Sequence, residues 1–305
     1  MRPRQLGNTN LELSPLAFRC TAPCDDQTLR LMACARHHGI TFFDLADGPS
    51  ESLVAYLRTL PRGQIQIATH FPCDAPSPNP RLALEQSLKA LATDHIDLYF
   101  ARHIQLPQFR DDLFADLNTL RDQGKIRAYG LSLGPSIGWR DEGISAITDR
   151  HADAVQTPFS LFQQDPGREF CDLANACGCT VLATDYDPAG LPQPTPPIAL
   201  QKLAILRQYA DAHGLTIRQF ACKWLLMHGA LASITATFQS EQEITEAAGA
   251  LATPPLTMDT LARLAHDYAN DWGLGPDARP PDLMSSTHPA GKVPSSYIPP
   301  TTMIA

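Results

Sequence analysis

Eight short apolar, β-favouring runs alternate along this chain with stretches whose apolar residues recur at helical spacing, and few architectures accommodate that order. The runs fall at residues 13–18, 41–44, 64–69, 96–101, 126–131, 154–157, 180–184 and 231–234. Helical patterns follow at 25–38, 50–58, 80–91, 113–123, 136–150, 168–177, 200–213 with 217–227, and 241–251. Gly39, Gly124, Gly178 and Gly214 stand where helices should stop in the left-handed conformation. Eight such β/α units predict an α/β fold, the (β/α)8 TIM barrel. The competing doubly wound sheet should carry a glycine-rich phosphate turn after its first strand, and FRCTAPCDD there contains no glycine.

With 305 residues, 44% of them hydrophobic, the chain can bury a large core. Its net charge of −8 provides no basic field for phosphates, which argues against nucleic acid or an anionic membrane as a partner. The amino-terminal MRPRQLGNTNLELSPLAF has no apolar segment of signal-peptide length, so a soluble, cytoplasmic protein is expected. A last helix is expected at 259–269, with Leu261, Leu264 and Tyr268 on one face. Beyond it the chain is rich in proline and serine and loses all periodicity. We therefore expect one barrel domain over 1–270 and a tail over 271–305. The tail is either disordered or folded over the barrel mouth or a second subunit, which makes a homo-oligomer through it one partner to consider.

In parallel α/β proteins chemistry gathers at the carboxyl ends of strands. Asp44, His70, Arg102, His103, Ser132, Gln156 and Thr184 all fall at or just past such ends, so they should line one mouth. Cys20, Cys24 and Cys73 lie in loops at the same mouth, near His70 and His103, but their spacing matches no zinc signature and no metal is expected. Cys34, Cys171, Cys177, Cys179 and Cys222 sit in apolar patterns, as buried thiols do in a reducing compartment.

Several segments carry a more specific message: FFDLADG, QIQIATHF, ALEQSLKALATDHIDLYFARH, DLNTLRDQGKIRAYGLS, VQTPFSLFQQDP and VLATDYDPAGL. In this order they resemble successive signature segments of the aldo-keto reductases. The resemblance implies a barrel that binds a nicotinamide cofactor, usually NADPH, and moves hydride to a carbonyl with an Asp, Tyr, Lys and His tetrad. Here the aspartate matches Asp44, the tyrosine falls at Pro49, the lysine at His70, and the histidine at Arg102 with His103 next to it. Ser132 and Gln156 match residues that hold the nicotinamide carboxamide, and Gln242 matches an adenine-side residue. Leu133, Thr184 and Glu246 depart from the family pattern, and so does ITAT at 234–237. Asp185 and Asp187 would repel a pyrophosphate.

Missing its phenol and ammonium, the site implied by the resemblance lacks the usual proton donor, whose loss costs about 10² to 10⁴ in rate. The expectation is therefore a divergent barrel with no cofactor, NADPH being the alternative. Asp44 and His70 would form an acid/base unit, with Arg102 as anion clamp and His103 as second proton carrier. That set suits redox-neutral elimination, isomerisation or hydrolysis of a small molecule. Two alternatives stand beside it: an NAD(P)H-dependent oxidoreductase with an unusual proton donor, and a non-catalytic scaffold or partner subunit.

Overall fold

The computed structural model describes residues 1–21, 24–73, 78–134, 139–188 and 195–278. A short antiparallel hairpin, β1 (Arg4–Gln5) and β2 (Glu12–Leu13), precedes eight parallel strands. These are β3 (Leu16–Cys20), β4 (Phe42–Leu45), β5 (Gln66–Pro72), β6 (Ile96–Arg102), β7 (Ile126–Ser132), β8 (Ala154–Pro158), β9 (Thr180–Thr184) and β10 (Leu231–Ala236). They close in chain order, β10 pairing with β3, to give the expected barrel. The helices are α1 (Asp26–His37), α2 (Glu51–Arg58), α3 (Pro80–Leu91), α4 (Asp111–Asp122), α5 (Arg140–Thr148), α6 (Gly167–Cys177), α7 (Pro197–Ala212), α8 (Ile217–Leu226), α9 (Glu241–Gly249) and α10 (Met258–Ala269).

Local chemistry explains the helix boundaries. Asp25, Ser50, Asn79, Thr216, Ser240 and Thr257 each accept a backbone N–H from the first turn of the helix that follows. At the other end, Gly124 and Gly178 take the left-handed conformation expected of them, with φ of 70° and 73°.

Alternation along the strands builds two cores. Leu16, Phe18 and Cys20 face outward and pack among the helices, while Ala17 faces in. Inside the barrel lie Ala17, Phe42, Ala68, Leu98, Phe100, Ala128, Ala154 and Leu182, with Leu6, Leu11 and Leu13 of the hairpin. Gly130 leaves room for Phe100 there: a Cβ at 130 would lie 2.7 Å from the Phe100 ring and 2.7 Å from the Ala154 carbonyl. The hairpin is fastened to the barrel by Asn8, whose N–H donates to the Gly178 carbonyl at 2.9 Å.

Element ends shift from the sequence reading in several places, three of them with consequences. The first barrel strand starts at Leu16, because Leu13 pairs with Arg4 in the hairpin. α5 begins at Arg140, and residues 136–138 of the expected helix lie outside those described. Past residue 270 come two 3-10 turns, Asp271–Gly273 and Pro276–Ala278, with Trp272 and Ala278 buried. The fate of the tail from 279 onward lies outside the described residues. No helix among those described is long and apolar enough to cross a membrane. All eight cysteines are free; Cys20, Cys73, Cys171, Cys179 and Cys222 are buried, whereas Cys177 faces solvent rather than the core.

Candidate active site at the barrel mouth

Continuing the inward alternation to the carboxyl ends of the strands brings a set of polar side chains together. Asp44 follows Phe42, His70 follows Ala68, Ser132 follows Gly130 and Gln156 follows Ala154. The four form one hydrogen-bonded chain. Ser132 Oγ donates to Gln156 Oε1 at 2.7 Å, and Gln156 Nε2 donates to Asp44 Oδ2 at 2.9 Å. His70 Nε2 lies 2.6 Å from Asp44 Oδ1. Thr235 on β10 touches the same network, its Oγ1 being 3.4 Å from Gln156 Nε2.

Burial alone would raise the Asp44 carboxyl. The positive charge and hydrogen bond of His70, the Arg19 guanidinium and the Gln156 amide outweigh it and hold the group at about 2. An ionised carboxylate can only accept, so the proton in the short bond sits on His70 Nε2. That leaves Nδ1 as the nitrogen with work still to do. It is buried and has no hydrogen-bond partner, in a side chain only 1% exposed. The imidazole is steadied by stacking on Phe100, ring centroids 5.0 Å apart and planes 25° from parallel.

The other expected residues sit differently. Arg102 Nη1 donates to the Ala46 carbonyl at 2.9 Å and lies 3.4 Å from Asp47 Oδ1, so it fastens the loop after β4. His103, exposed and at positive φ, faces Trp139, with 6.2 Å between ring centroids. Gln242 is exposed on the first turn of α9. Cys20 points away from the mouth, into the helix layer, 3.8 Å from Met32 Sδ. Cys73 is buried and Cys24 half-buried. Among the described residues no three His, Cys, Asp or Glu gather as a metal would need.

One residue of the mouth escaped sequence reasoning. Arg19 occupies the next inward position after Ala17 and stands in register with Asp44. The signal was present in LAFRC, where Leu, Phe and Cys alternate with Ala and Arg, but setting the strand at 13–18 left Arg19 in a loop.

Beyond the mouth, Thr184 Oγ1 bonds Asp185 at 3.0 Å, and Tyr186 is buried. Asp187 accepts from Arg218 Nε at 2.9 Å, and Arg218 also pairs with Glu243 and Glu246. Burial works against the Arg218 charge, but Asp187 and Glu243 more than restore it.

With this geometry in place, comparison with known proteins becomes informative. The model of the Aldo/keto reductase family matches residues 19–267. "Probable aldo-keto reductase 1" of Glycine max is 30% identical over 214 residues, 62% of this chain and 60% of that protein. "Aldo-keto reductase str7" of Strobilurus tenacellus is 26% identical over 258 residues, 71% of this chain and 74% of that one. Among solved structures, the holo form of aldo-keto reductase AKR11C1 from Bacillus halodurans superposes with a TM-score of 0.72 at 24% identity, covering 87% of this chain and 96% of its own. The thermostable aldo-keto reductase Tm1743, solved with the inhibitor epalrestat, gives 0.69 at 22% identity, covering 87% and 99%. At such identities the structures speak for the fold alone.

The family match corrects one expectation. Aldo-keto reductases are NAD(P)H-dependent, so NADP(H), and not the absence of any cofactor, is what this chain should take. The physical error lay in treating Asp185 and Asp187 as bare charges facing a pyrophosphate, whereas Asp187 is ion-paired to Arg218 of α8 and Asp185 accepts from Thr184. The residues present fit the nicotinamide end in kind: Ser132 and Gln156 offer a buried hydroxyl and amide side by side.

Proposed function

Because the chain belongs to the aldo/keto reductase family, we propose that it is an NAD(P)H-dependent oxidoreductase that reduces a small carbonyl compound with His70 as proton donor. The observation that carries this reading is the buried Asp44–His70 pair, whose Nε2 side is closed by the carboxylate and whose Nδ1 is unbonded. Ser132 and Gln156 would hold the carboxamide, and bound NADP(H) supplies the hydride. What the chain itself contributes is the proton. A carbonyl oxygen set against Nδ1 would satisfy an atom that otherwise bears the cost of burial without a partner, about 1–3 kcal/mol. As charge develops on that oxygen, His70 in its imidazolium form can release the Nδ1 proton to it and become neutral, while Nε2–H stays bonded to Asp44. Asp44 fixes which nitrogen is which, and Phe100 keeps the ring from turning.

The test is a His70→Gln variant assayed with NADPH and a panel of aldehydes. NADPH binding, followed by fluorescence, is expected to persist while kcat falls about 10² to 10⁴-fold. Wild-type turnover in the variant, or no NADPH binding by the unmodified protein, would overturn the reading. A second reading, redox-neutral acid/base chemistry, draws on the same pair and predicts substrate loss without NADPH oxidation.

A further inference from the structure

Arg19 is a cation inside the barrel mouth that, among the described residues, has no hydrogen-bonded partner. Its Nε is buried and lacks a hydrogen-bond partner, and among the described residues its guanidinium makes no hydrogen bond or ion pair. The nearby carboxylate, Asp44, feels its charge but is hydrogen-bonded elsewhere, Oδ1 to His70 and Oδ2 to Gln156. The other inward arginine, Arg102, is by contrast held by the Ala46 carbonyl and Asp47. A buried guanidinium N–H without an acceptor is costly to maintain, and a planar fork of donors matches a carboxylate.

We infer that Arg19 is a specificity residue that binds a carboxylate of the substrate, so that the preferred substrates are oxo acids. This inference rests on the carbonyl-reducing reading above for the word substrate, though not for the anion site itself. Arg19 lies in register with Asp44, whose other neighbour is His70, so the anion it binds belongs to the molecule that reaches the reacting pair. A dinucleotide phosphate offers the same chemistry, and the test separates the two.

Two measurements on wild type and Arg19→Gln decide it. The first is kcat/KM with NADPH for 4-oxobutanoate and for butanal, which lacks the carboxylate. The preference of the wild type for the acid should fall about thirtyfold in the variant, the loss that follows when one partner of a buried charge pair is removed. The second needs no turnover: thermal protection by butanoate against butanamide, beside NADPH affinity by fluorescence titration. Butanoate should protect the wild type and not the variant, butanamide neither, and NADPH should bind both equally. Arg19→Lys, which keeps the charge but not the fork, should fall between them and stands in where the glutamine variant does not fold. Equal protection of wild type and variant by butanoate overturns the inference. So does weaker NADPH binding by the variant, which would assign the anion to the dinucleotide. Absence of any aldehyde turnover would sink only the carbonyl-reducing reading, because butanoate protection would still report on Arg19.

Discussion

Replacing Asp44 by Asn keeps the shape of the site and removes the buried negative charge bonded to His70. The carboxyl is held at about 2 against an ordinary 3.8. At about 1.4 kcal/mol per pH unit, its surroundings favour the charged form by roughly 2 kcal/mol. An amide adds a second difficulty. Both Asp44 oxygens accept, from His70 Nε2 at 2.6 Å and Gln156 Nε2 at 2.9 Å, so the Asn NH₂ must meet one of two donors. Asp44→Asn should therefore be about 2–3 kcal/mol less stable than wild type at pH 7. The sign with pH follows from the depressed value. Stabilisation is complete above the ordinary 3.8 and is lost as pH falls through about 2. Urea unfolding of both proteins from pH 7 downward should show their difference shrinking between about 4 and 2. Equal stability at pH 7, or a difference that stays flat across that window, would refute the reasoning.

Other perturbations test other parts of the molecule. Gly130→Ala pushes a Cβ to 2.7 Å from both the Phe100 ring and the Ala154 carbonyl, and calorimetry should show a loss of about 1–3 kcal/mol. Asp97, 1% exposed, accepts from Arg62 at 2.7 Å, the Ile67 N–H at 2.9 Å and Arg127 at 3.0 Å. Its replacement by alanine should cost about 2 kcal/mol in denaturant unfolding. Burial pushes the Cys171, Cys179 and Cys222 thiols up to about 12, while Cys177 is exposed. Ellman's reagent should then label Cys177 first and those three only on unfolding.

The barrel was legible because its signal is repeated: each strand and helix carries its own period, and eight repeats leave one closed arrangement. The Asp44–His70 contact was legible as well, since strand ends and the family resemblance placed both at one rim. Arg102 was not, because what it binds is the backbone of the loop at Ala46, and a side chain's choice of a carbonyl leaves no trace in residue identity. Arg19 was hidden by the hairpin that claims Leu13 and shifts the first barrel strand by three residues, from residue 13 to Leu16. The cofactor expectation failed for a related reason. Asp187 and Arg218 are 31 residues apart in the chain, and only the placing of α8 beside the loop after β9 gives Asp187 its cationic partner.

The hairpin that seals the amino-terminal end also bears on traffic. With Leu6, Leu11 and Leu13 stoppering the floor, the barrel is a cup and not a pipe. Whatever arrives at Asp44 must come and go over the opposite rim, so if two ligands are used the deeper one has to enter first and leave last.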